Sequence, residues 1–198
     1  MTRQIRDKLI YENQEYYLNS ELIELYFRQH PEKRPKFEIS CSALWRGYVA
    51  IFEVKTNKLL IKELDWLTDI NFNMQSFRAE LFPNNKFEWY SGLIRIDEFR
   101  GEFDKEPENG IFEYLEIENG NLIQKRTFNF EELQRFKKEQ YDYFLLSDEV
   151  EHLYEFWERN NENGVINKES VNKIILKNIM EYTQKVYAEL TNYSYPNN

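Results

Sequence analysis

Arg46 lies in the most apolar run of the chain, Ser40 to Val54, between Trp45 and Gly47. A guanidinium buried alone is strongly disfavoured, so it must be paired, stacked on a ring or exposed. Strand alternation puts Arg46 and Tyr48 on one face and Trp45 on the other. Two readings follow. Set between aromatics, Arg46 binds a carboxylate or phosphate ligand, or a ring by stacking. Alternatively, it closes a salt bridge to a carboxylate on a neighbouring strand, with Glu53, Glu116 and Asp97 as candidates. Trp89 and Arg95 form a second polar-aromatic group with Glu88, Tyr90 and Asp97. The candidate ligand-binding set is therefore Trp45, Arg46, Tyr48, Trp89 and Arg95.

No catalytic residue stands out. The two histidines, His30 and His152, lack a second histidine at metal-ligand spacing. His30 precedes a proline, and His152 is flanked by Glu149, Glu151 and Glu155. Cys41, the only cysteine, excludes an internal disulfide; it is a nucleophile only with a base beside it, and a small residue in mid-sheet is otherwise packing. No phosphate loop, dinucleotide glycine fingerprint or nucleophile elbow occurs, so no cofactor or metal is expected. Glu53 and Glu116 occupy equivalent strand positions, which suits a ladder role before an acid/base role.

The elements that must position these residues are short. Lys8–Glu12 and Glu15–Leu18 around Asn13-Gln14 predict a hairpin. Asn19 or Ser20 should cap a helix over Glu21 to Gln29, ended by His30-Pro31. A basic loop, Pro31 to Lys36, leads into Ser40–Val54, read as two strands or one long bent strand. Lys55 to Lys58 is a turn before a strand over Leu59–Leu64. A connector, Thr68 to Asn73, precedes a helix over Met74–Leu81, capped by Asn73 and stopped by Pro83. A strand follows over Lys86–Ile96, with a bulge or close approach at Gly92. After an acidic loop, Asp97 to Asn109, strands Ile111–Glu118 and Asn121–Phe128 flank Asn119-Gly120, the strongest turn signal in the chain.

Gly47–Lys62 aligns without gaps on Gly110–Lys125, with Gly47/Gly110, Glu53/Glu116, Leu59/Leu122 and Lys62/Lys125 identical. Two hairpins of similar geometry account for such an echo without duplication.

Beyond Asn129 the period lengthens to that of helices. Asn129-Phe130-Glu131-Glu132 resembles a capping box, opening a helix with Leu133, Phe136, Gln140 and Phe144 on one face. Ser147 or Asp148 caps the next, with Val150, Leu153, Tyr154 and Trp157 together, closed by Asn163-Gly164. The last helix is expected over Lys168–Leu190, its stripe including Val171, Ile174, Ile175, Asn178, Ile179, Tyr182, Val186 and Leu190. Tyr193 to Asn198 are expected to fray.

The resulting expectation is α+β: an antiparallel β-sheet built of hairpins, packed with short helices and followed by a C-terminal group of about three helices. The 198 residues suit a single domain, 1–198, with a sheet-rich part over 1–128 and a helical part over 129–192.

The net charge of −9 is unevenly spread. Residues 1–66 carry 11 Lys and Arg against 10 Asp and Glu, while residues 97–162 carry 8 against 19. Phosphate backbones are bound through Lys and Arg, so the second half argues against nucleic acid. It suits a basic protein partner, or simply keeps the surface hydrated. No stretch of about 20 residues is apolar enough for a bilayer, and the N-terminus, broken by Arg3, Arg6, Asp7 and Lys8, does not read as a signal peptide. A cytoplasmic protein away from membranes is expected; oligomeric state is left open.

Arg34-Pro35-Lys36-Phe37-Glu38 followed by Ser42 to Val54 resembles a segment of small uncharacterised bacterial proteins. The resemblance is clearest over residues 8–66. It implies a compact bacterial domain, and no activity, cofactor or site residue. The function expected from all of this is non-enzymatic binding, one form being an immunity or inhibitor protein for a basic toxin. The alternative is a small-molecule-binding domain or enzyme with a pocket around Arg46, Tyr48, Trp89 and Arg95. A third is a structural subunit pairing through its last helix.

Overall fold

The computed structural model describes residues 4–35, 42–67, 74–97, 106–160, 166–183 and 186. Cys41, the proposed cap Asn73, most of the acidic loop, the Asn163-Gly164 stop, Leu190 and the C-terminal tail lie outside the described residues.

The architecture is α+β, with a seven-stranded sheet in the order β2-β1-β3-β4-β7-β6-β5. The chain divides into two compact units. The first takes residues 1–105 and 113–127, and the second takes 106–112 and 128–198.

In the first unit β1 (Lys8–Tyr11) and β2 (Gln14–Tyr17) pair antiparallel. Glu12 and Asn13 both adopt positive φ, 51° and 63°, in the two-residue turn that joins them. α1 (Leu22–Gln29) follows, burying Leu22, Ile23, Tyr26 and Phe27 along one stripe. Its cap position is Glu21 rather than Asn19 or Ser20, and no side-chain cap bond forms there.

β3 (Tyr48–Lys55) then pairs parallel to β1, with Leu9 opposite Phe52. The sheet is therefore mixed, mostly but not wholly antiparallel as expected from the sequence. The reason is the long connection through α1. It returns the chain over β1 instead of turning directly into a neighbouring antiparallel strand. The expected strand character of Ser42 to Gly47 also gives way. Apart from a single bridge at Leu44 these residues are turns and a bend, because Gly47 takes φ 80° and its N–H closes back onto the Leu44 carbonyl at 3.0 Å.

β4 (Lys58–Trp66) pairs antiparallel with β3. Ile51 faces Glu63 and Phe52 faces Ile61, leaving Lys62 as an extra residue in a bulge. The bulge shifts the phase of alternation, so Leu59 and Ile61 point into the core before it and Leu64 and Trp66 after it. Without it, half of β4 would turn its apolar side chains to water.

α2 (Met74–Leu81) ends before a 3₁₀ turn at Pro83–Asn85. Lys86 makes one isolated bridge to Leu60, and the chain turns again before β5 (Gly92–Arg95). The long strand expected over Lys86–Ile96 is thus only its last third, the rest being spent on turns that seat Phe87 and Tyr90 in the core. β5 pairs antiparallel with β6 (Ile111–Glu118), and β7 (Asn121–Asn129) lies between β6 and β4.

The turns of the two similar segments meet. Leu59 N–H donates to the Gly120 carbonyl at 2.8 Å, and Leu122 N–H donates to the Asn57 carbonyl at 2.9 Å. Leu59 aligns with Leu122, and Asn57 with Gly120, so the exchange is reciprocal about a local two-fold. The core of this unit gathers Leu9, α1, the inner faces of β3 and β4, Phe82, Phe87, Ile94, Leu115 and Ile117.

In the second unit α3 (Phe130–Phe144) opens with a complete capping box between Asn129 and Glu132. It buries Leu133, Phe136, Gln140 and Phe144. Asn129→Ala should therefore lower stability by about 1 kcal/mol in urea unfolding, the usual worth of such a cap. α4 (Asp148–Asn160) buries Val150 and Tyr154, whose hydroxyl donates to Asn172 Oδ1 at 2.5 Å. The long last helix is interrupted. α5 (Lys168–Lys177) ends at Asn178, which leaves helical geometry at φ −115° and ψ 24°, and α6 (Ile179–Tyr182) follows. Asn178 bonds its side chain back to the Ile174 carbonyl, a local alternative to continuing the helix. Burial continues across the break at Val171, Ile175 and Ile179, whereas Ile174, also expected in the stripe, is 47% exposed. No helix among the described residues is long and apolar enough to cross a membrane.

Candidate functional site

The Ser42–Gly47 turn is held by the N-terminal segment. Ile5 N–H donates to the Ala43 carbonyl at 2.9 Å. The Gln4 side chain donates to the Ser42 carbonyl at 2.7 Å and accepts from Trp45 N–H at 3.1 Å. Leu67 N–H donates to the Gly47 carbonyl at 2.7 Å, fixing the turn to the end of β4. A single side-chain amide that both donates and accepts leaves the turn little freedom. On it Trp45 is 57% exposed, and Ile5 beside it is 48% exposed. Trp66 is buried, and Trp89 and Trp157 are half-buried.

Arg46 points the other way. Its Nε donates to the Tyr48 carbonyl at 3.0 Å. One terminal nitrogen reaches Glu21 Oε1 at 2.9 Å; the other reaches both the Ile5 carbonyl at 2.9 Å and Asp7 Oδ1 at 2.8 Å. The guanidinium lies 5.2 Å from the centre of the Tyr48 ring. Its side chain is 3% exposed and that of Asp7 1%. The carboxylates Glu53, Glu116 and Asp97, the partners expected from the sequence, are engaged elsewhere. Glu53 faces Lys62, Glu116 takes Gln124 and Arg126, and Asp97 takes Arg95. Neighbouring-strand logic failed because Arg46 sits on a turn, where its reach is to the N-terminal segment and to the start of α1.

A second pair joins this cluster. Arg34 donates to Glu24 Oε2 at 2.6 Å and to the Arg46 carbonyl at 3.4 Å. Glu24 is buried on the apolar stripe of α1. Burial above all, with the Glu24 charge next, pushes the Tyr48 phenol well above its ordinary range. Asp7 Oδ1 also accepts from Ala50 N–H at 2.7 Å. Burial raises the Asp7 carboxyl from 3.8 to about 6, although Arg46 and the Ala50 N–H pull it down.

The remaining candidates are dispersed. Trp89 packs on Tyr26, Phe87 and Tyr90, at ring distances of 5.2, 4.6 and 5.8 Å. Tyr26 and Phe27 connect it to Tyr48. Arg95 bonds Asp97 at 2.7 Å, and Asp97 in turn accepts from Glu113 N–H at 3.3 Å, so the pair ties β5 to β6. Arg95 lies on an edge strand four steps from β3. Arg46 and Tyr48 therefore meet, while Trp89 and Arg95 belong to other contacts.

Asp7, Glu21, Glu24 and Arg34 were not among the residues singled out from the sequence. One signal was present: Glu24 interrupts the apolar stripe Leu22, Ile23, Tyr26 and Phe27. Among the described residues no group of His, Cys, Asp and Glu is arranged to hold a metal ion. His30 stacks on Tyr26 at 4.7 Å, and His152 is exposed.

No protein-family model, curated protein or solved structure matches the chain.

Proposed function

We propose that the chain is a non-enzymatic binding protein that holds a basic protein partner through the Trp45 turn. The observation that carries this reading is the exposed indole of Trp45 on a turn whose backbone is held by Gln4, next to an Arg46 bonded inside the protein. Tryptophan is the residue most often found at the centre of binding energy, since it contributes a large apolar area with few rotors. A turn already ordered by Gln4 loses little further freedom on binding. The net charge of −9 adds long-range attraction for a basic surface. An immunity or inhibitor protein that covers a basic toxin is the specific form these features fit. The pocket alternative has less support, because Arg46 spends four hydrogen bonds inside the protein.

The test uses cross-linking in native lysate at low salt, followed by titration of the purified partner. The expected partner is basic, binds more weakly as salt rises, and loses at least about tenfold in affinity with Trp45→Ala, or roughly 1.4 kcal/mol. Absence of any reproducible basic partner, or equal binding by Trp45→Ala, would remove the proposal.

A further inference from the structure

We propose that Asp7 is a proton-controlled latch: protonated, it holds residues 4–7 against the Trp45 turn and β3, and ionised, it lets that segment open. The geometry is a charge imbalance around a buried carboxylate. Asp7 faces Arg46 from the turn, Glu21 and Glu24 from the start of α1, and Tyr48 and the Ala50 N–H from β3. Arg34 approaches through Glu24, and Arg6 precedes Asp7 in the chain. Three carboxylates thus share two guanidiniums, and one negative charge is left over when all are ionised. Asp7 Oδ1 takes both donors, whereas Oδ2 is buried and accepts no hydrogen bond among the described residues. An ionised oxygen without a donor in such a place is costly. A proton on Asp7 removes the excess charge and leaves at Oδ2 only the smaller cost of a buried neutral hydroxyl.

The sign follows from linkage. The Asp7 carboxyl is at about 6 when the segment is closed, against an ordinary 3.8 when it is open. The closed form therefore binds the proton more tightly. Its advantage is complete below about pH 4 and is lost as pH rises through about 6. The ratio of closed to open should fall on the order of a hundredfold across that interval. The segment that responds is the one that carries Gln4 and Ile5, the supports of the Trp45 turn. The latch does not depend on what Trp45 binds.

Native-state hydrogen exchange of the full chain tests it, read at the Ile5, Trp45 and Ala50 amides between pH 4 and 7.5. Rates are corrected for the intrinsic chemistry of exchange. The opening equilibrium should rise with pH in the wild type and stay flat in Asp7→Asn. Carbon-detected titration of the Asp7 carboxyl should give a midpoint near 6, and Glu24→Gln should lower it by removing a neighbouring charge. The titration decides the matter even if Asp7→Asn does not fold. A carboxyl midpoint near 4, an opening equilibrium independent of pH, or an Asp7→Asn protein with the wild-type dependence would overturn the latch.

Discussion

Arg46→Met is expected to destabilise the protein by about 3–5 kcal/mol, the range for breaking one side of a buried ionic network. The substitution keeps most of the length of the side chain and removes every donor. Asp7 Oδ1 then retains only the Ala50 N–H, and the Ile5 and Tyr48 carbonyls lose their side-chain donor. Glu21 loses its partner as well, but it is partly exposed and water replaces Arg46 there. Urea unfolding followed by near-ultraviolet circular dichroism measures the loss. Pairing the change with Asp7→Asn should recover part of it, because the orphaned buried carboxylate is the larger share of the damage. A single-variant loss under about 1 kcal/mol would mean that the network carries little of the stability of this unit.

Gly120→Ala is the second large effect, with a loss of about 2–4 kcal/mol from two sources. Gly120 has φ 72°, where a side chain is strained. A Cβ there would also come within 2.7 Å of the Phe87 carbonyl oxygen and 2.8 Å of Glu88 Cα, both backbone atoms. The backbone cannot withdraw without loosening what Gly120 joins. Its N–H donates to the Tyr90 carbonyl, and its carbonyl accepts from Leu59. Gly47→Ala provides the comparison. Gly47 has φ 80°, and a Cβ there meets nothing within 4 Å. It should lose only the conformational part, about 1–2 kcal/mol. The difference between the two variants in the same unfolding measurement isolates the close approach. Equal losses would show that the Phe87 backbone moves aside freely.

These two sites differ in how much of them was legible beforehand. Asn119-Gly120 announces a turn, because glycine tolerates positive φ and asparagine comes closest to sharing that tolerance. That the turn would press on the Phe87–Tyr90 segment was invisible, since residues far apart in sequence supply the contact. Arg46 announced a need for a partner, because a guanidinium within an apolar run cannot stay unsatisfied. The partner itself was misplaced. Glu53, Glu116 and Asp97 were reasonable only if Arg46 lay in a strand, and Gly47 turns the chain before the strand begins.

The same division runs through the elements. Local patterns carried α1, the Asn129 capping box and the buried positions of α3, because helix periodicity and caps depend on residues within one or two turns. Three features lay beyond local reading: the parallel pairing of β1 with β3, the bulge at Lys62 and the break at Asn178. Strand partners and bulges are selected by which faces can be buried together. Asn178 replaces a continuing helix with a bond to its own preceding turn.

What the sequence by itself determined is therefore the locally periodic part: the helices α1 and α3 with the buried positions of α3, and that Arg46 had to be matched. Tertiary structure alone decided which carboxylates match it and that Trp45 is left outside on a pinned turn. The physical reason is that periodicity is a property of neighbouring residues. The balance of charge in a closed space depends on every element that closes it, here the N-terminal segment, α1 and β3.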